Sequence, residues 1–103
     1  MSWIPITTPD TWQDSPAWSP DGSLVYFISE RDGFRCIWAQ RVDPRSHRPI
    51  GSAFAVHHEH AASLSLRNEW AAFLNLAVAR GRLVFNAGLD TANIWSMRLD
   101  AAR

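Results

Sequence analysis

The chain holds one cysteine, Cys36. No intrachain disulfide can form, which fits a reducing compartment. Charge of either sign is not in surplus: 10 basic and 10 acidic residues leave a formal net charge of +0. Binding to nucleic acid by phosphate neutralisation is therefore not expected, nor is a polybasic membrane anchor. No apolar run approaches the roughly 20 residues needed to cross a bilayer. Residues 1–10 carry no basic side chain and contain Pro5 and Pro9, so they do not read as a signal peptide. The expectation is a soluble, cytoplasmic chain without nucleic-acid or membrane partners. No Gly-x-Ser-x-Gly elbow is present to activate a serine. At 103 residues the chain makes one domain at most, with a small core.

What is abundant is tryptophan, 6 in all. Each buries a large area but needs a partner for its N–H. The strongest local signal is Ser19-Pro20-Asp21-Gly22. Pro20 pre-sets φ for the first central position of a turn, Asp21 suits the second, and Gly22 relieves the exit. Residues 24–28 follow as an unbroken apolar run, the pattern of a strand covered on both faces. Further strands are expected at 3–8, 15–19, 34–42, 52–58, 75–79, 82–86 and 93–99. Pro5 confines the first of these to a sheet edge. Residues 59–74 give no clean period and read as a long loop, with a helical turn near 68–73. Residues 100–103 are expected to fray.

The pattern repeats. Leu24-Val25-Tyr26-Phe27 matches Leu83-Val84-Phe85 in character, and a Gly/Asp turn follows each. Ile37-Trp38 and Ile94-Trp95 come next, then Arg41-Val42-Asp43 and Arg98-Leu99-Asp100. Short antiparallel strands repeating in this way suggest propeller blades.

Pro16-Ala17-Trp18-Ser19-Pro20-Asp21-Gly22, with the apolar strand, Asp32-Gly33 and Ile37-Trp38 in register behind it, resembles the TolB-type, WD-like β-propeller repeat. It is also similar to propeller segments at the C-terminal ends of larger bacterial proteins, some membrane-linked kinases among them. The second copy has Ala79-Arg80-Gly81 where the first has its Ser-Pro-Asp-Gly turn, so it is degenerate. The resemblance implies an all-β chain of antiparallel, four-stranded blades, about two per chain. Residues 14–58 would be the first blade, 59–74 a loop, and 75–99 a second blade lacking its outermost strand. Residues 3–8, with Trp3, Ile4 and Ile6, would be a strand lent to another blade. Two blades do not close a ring, and each is apolar on both faces. A lone pair would expose more apolar surface than soluble monomers tolerate. Other copies or a longer parent chain would complete the ring. A cyclic trimer with swapped N-terminal strands is favoured.

The expected role is a non-enzymatic scaffold for protein interaction or ligand sensing, without cofactor, metal or catalytic residue. The alternative is a metal-binding or enzymatic domain using His57-His58-Glu59-His60, where His58 and His60 would share a strand face. No fourth ligand is evident, and a polar outer strand running into a loop explains the segment more simply. Asp21, Asp32 and Asp90 fit turn positions better than acid–base work. Cys36, between apolar neighbours, reads as a buried small hydrophobe. Trp18, Trp38 and Trp95 sit at repeat positions and read as packing between blades. Trp12 and Trp70, in loops, are the candidates for a binding surface. Arg31, Arg35, Arg41, Arg45 and Arg48, interleaved with Asp32 and Asp43, read as a solvated face.

Overall fold

A computed structural model describes residues 3–9, 11–58, 76–88 and 92–99 of the chain. The loop expected at 59–74, its helical turn and the frayed end at 100–103 lie outside these. Among the described residues the chain is all-β, with two antiparallel sheets and no helix. The four-stranded sheet is a meander of β1 (Gln13–Trp18), β2 (Leu24–Ser29), β3 (Cys36–Val42) and β4 (Pro49–His57). The three-stranded sheet runs β5 (Leu76–Ala79), β6 (Arg82–Gly88) and β7 (Ala92–Arg98).

The β1–β2 turn forms as its residue types dictate. The Gly22 N–H donates to the Ser19 carbonyl at 3.0 Å, and Gly22 takes φ +76°, which costs a residue without a Cβ little. Asp21 Oδ1 accepts from Ser19 Oγ at 2.7 Å, from Ser23 Oγ at 2.7 Å and from the Ser23 N–H at 3.0 Å. Ser19 Oγ in turn accepts from the Leu24 N–H at 3.0 Å. The hydroxyl and N–H of Ser23, then the hydroxyl of Ser19, pull the Asp21 pKa down to about 2.

Strand limits differ from expectation where proline intervenes. β1 starts at Gln13 because a bulge between Asp14 and Ala17, with Ser15 at φ +54°, absorbs Pro16, which cannot donate to a ladder. β4 starts at Pro49, a position a sheet edge tolerates. Opposite Gln40, β4 bulges again, and the buried Gln40 amide donates to the carbonyls of Ile50 at 3.2 Å and Gly51 at 3.1 Å. Residues 3–9 form no strand within this chain. The Gln13 side-chain amide instead donates to the carbonyls of Thr8 and Thr11, and Thr7 lines a groove with Val25 and Phe27.

The core lies between the sheets. Leu24, Tyr26 and Ile28 of β2 and Ile37 and Ala39 of β3 meet Leu83 and Phe85 of β6. Phe54, Val56, Leu76, Val78, Met97 and Leu99 close the rim. Each large side chain buried here contributes on the order of 1.5–3 kcal/mol. The core is aliphatic with one Tyr and one Phe. Within the single chain Trp18 and Trp95 stay half exposed and Trp38 is half-buried, and none of the three belongs to the buried core cluster.

All six residues of β2 are buried. Other copies or a longer parent chain were expected to cover the second face of this strand; within the single chain its residues are already buried. Arg31 lies over the rings of Phe27 at 5.5 Å and Trp38 at 5.1 Å, and Thr11 Oγ1 reaches Ser29 Oγ at 3.4 Å.

The repeat has a direction. Phe27 pairs with Trp38 and Phe85 with Trp95, so the two ladders share a register. Yet the first sheet turns Tyr26 and Ile37 to the core, whereas the second turns Phe85 and Met97. Opposite faces of equivalent sheets meet, as in a head-to-tail stack. β1 and β5, the first strand of each sheet, lie in contact.

Candidate functional site

The turn between β2 and β3 and the end of β4 bring three reactive side chains together. The Gly33 N–H donates to the Glu30 carbonyl at 2.9 Å, with Gly33 at φ +90°, and this turn sets Asp32 beside the start of β3. The Phe34 N–H donates to Asp32 Oδ1 at 3.3 Å and fixes the carboxylate. Across the sheet, Ile37 pairs with His57. The next residues outward on those two strands are Cys36 and His58. His58 Nδ1 stands 3.0 Å from Asp32 Oδ2, and the Cys36 thiol donates to the same oxygen at 3.7 Å. All three donor atoms lie within 4.8 Å of one another. Cys36 is fully buried, while the Asp32 and His58 side chains are 24% and 52% exposed and form the solvent side. Trp38 holds the imidazole edge-on, with ring centroids 6.0 Å apart.

A second cluster is structural. Arg35 donates to both carboxylate oxygens of Asp14 at 3.3 Å and lays its guanidinium 4.0 Å from the centre of the Trp12 ring. One face of Trp12, an expected binding residue, is therefore occupied from within the chain. The solvated arginine face expected at 31–48 holds at Arg41, Arg45 and Arg48, which are exposed, and is corrected at Arg31 and Arg35. Arg35 is buried, Arg31 stacks on Phe27 and Trp38, and Arg41 lies 5.3 Å from the Phe54 ring. A guanidinium is planar and weakly hydrated, so it covers aromatic rings at little desolvation cost.

The two described histidines of the segment, His57 and His58, turn to opposite sides. His57 turns to the core side, with its ring 5.5 Å from Phe85, while His58 turns to Asp32 and Cys36. Glu59, His60, Trp70 and Asp90 lie outside the described residues. Trp3 is 89% exposed and Ile4 and Ile6 are half-buried. Sequence reasoning took Asp32 as a turn residue, Cys36 as packing and His58 as part of a polar outer strand, with pairing to His60 as the alternative. The spacing of Asp32 and Cys36 was visible. The pairing of β3 with β4, which adds His58, was not.

Set against protein-family models, curated proteins and solved structures, the chain matches none. No helix among the described residues is long and apolar enough to cross a membrane.

Proposed function

We propose that this chain is a non-enzymatic interaction module of the TolB-like, WD-like propeller type, and that its partner is a further copy of itself. The supporting observation is the unequal fate of one repeat position. Ile37 is fully buried between the sheets, whereas Ile94, the residue before the second repeat tryptophan, is 79% exposed. In a head-to-tail stack the outer face of the second sheet corresponds to the core-facing side of the first. Ala77, Val84 and Ile94 share that outer face. With a net charge of +0, copies of the chain do not repel one another.

A neighbouring copy would present Val25, Phe27 and Trp38 to this face. Thr7 lines a groove with Val25 and Phe27, and Arg31 lies over Phe27 and Trp38, so the N-terminal arm must swing aside. It carries Trp3, Ile4 and Ile6, suited to pairing with the next chain. Exchange of such an arm is a low-cost route to a closed ring, and three two-blade chains give six blades. The loops around such a ring would take a protein or small ligand. Light scattering tests the reading. It expects a mass above one chain that falls to one chain in Ile94→Arg. A compact monomer at every concentration overturns it.

A further inference from the structure

We infer that Asp32, Cys36 and His58 form a binding site for one zinc-type divalent cation, a site that does not depend on assembly of the chain. Carboxylate, thiolate and imidazole are the donors that borderline-soft cations take, and hard cations such as Mg²⁺ do not use thiolate. Around tetrahedral zinc, bonds of about 2.0–2.3 Å set donors about 3.2–3.8 Å apart. The separations of 3.0 Å from His58 Nδ1 to Asp32 Oδ2 and 3.7 Å from Cys36 Sγ to the same oxygen need only small adjustments.

The supports are in place as well. Cys36 is held on β3 opposite Ser29. The Phe34 N–H on Asp32 Oδ1 leaves Oδ2 turned toward the other two donors. Trp38 orients His58. Such outer contacts tune metal affinity substantially. The cation would enter past His58 and Asp32, the two exposed members. On binding, the Cys36 thiol gives up its proton to solvent and the cation takes its place beside Asp32. Among the described residues three protein donors come together, which leaves a fourth position for a further ligand or water.

Titration of the purified chain with Co²⁺ alone, a spectroscopic stand-in for zinc, tests this. The expected result is saturation at one equivalent, a thiolate-to-cobalt charge-transfer band, tetrahedral d–d bands, and displacement by Zn²⁺. Cys36→Ser should abolish the charge-transfer band, and His58→Ala should weaken binding about tenfold or more. The wild-type spectrum is decisive even where a variant folds poorly. Lack of saturable binding, a spectrum without thiolate character, or full affinity in folded Cys36→Ser overturns the inference. Native mass does not enter the measurement, so failure of assembly would leave the result intact.

Discussion

Arg35 reaches back to Asp14 and donates to both of its carboxylate oxygens, with the two side chains only 8% and 22% exposed. The pair ties the start of β3 to the bulged β1. Removing one partner strands a charge that water barely reaches. Asp14→Ala should cost about 2–3 kcal/mol in urea unfolding. The double variant Asp14→Ala, Arg35→Met should recover part of that loss, because no charge is then left unpaired. A double variant as unstable as the sum of the singles would show that the two residues do not interact.

Gln40 does a similar task without charge. Its amide meets the carbonyls that the β4 bulge turns away from the ladder. Gln40→Leu should cost about 1 kcal/mol. It should also speed amide exchange along residues 50–52 while leaving β2 protected. Uniform exchange changes across both sheets would argue against a local role.

The Asp21 turn makes stability depend on acid. Its folded pKa, about 2, lies below the ordinary 3.8. Stability from this group is therefore fully present above the ordinary value and is lost as pH falls through the folded one. The midpoint of thermal unfolding should drop between about pH 4 and pH 2, and Asp21→Ala should flatten that part of the curve. An unchanged slope in the variant would place the acid sensitivity elsewhere.

Ile37 and Ile94 separate packing from docking. Ile37→Ala should destabilise the fold by about 2–5 kcal/mol, through lost burial and the cavity left behind. Ile94→Ala in the dissociated chain should change stability by no more than about 0.5 kcal/mol. Equal losses in calorimetry at low protein concentration would mean that Ile94 is already covered within one copy.

The hairpins were legible because their signals are local. Ser19-Pro20-Asp21-Gly22 needs only its own backbone to turn, and residues 24–28 announce a buried strand by composition alone. The Ile-Trp repeat likewise located β3 and β7. What escaped the sequence depended on residues far apart in the chain. Pro16 was rightly placed in a strand, but the bulge that absorbs its missing N–H was not visible. Arg31 and Arg35 looked solvated until the rings of Trp12, Phe27 and Trp38 came within reach, while Arg41, Arg45 and Arg48 are exposed as expected. Cys36 was rightly placed as buried, yet nothing near it in sequence indicated His58.

The sequence by itself determined an all-β chain with a duplicated hairpin unit, since turn chemistry and alternation act over a few residues. Only the tertiary structure decided which faces meet, because the register of pairing turns a given side chain inward or outward. One unit of slip in the alignment of β3 with β4 would carry His58 away from Asp32 and Cys36. Head-to-tail contact between the sheets, and not any difference in residue type, leaves Ile94 in water and Ile37 dry.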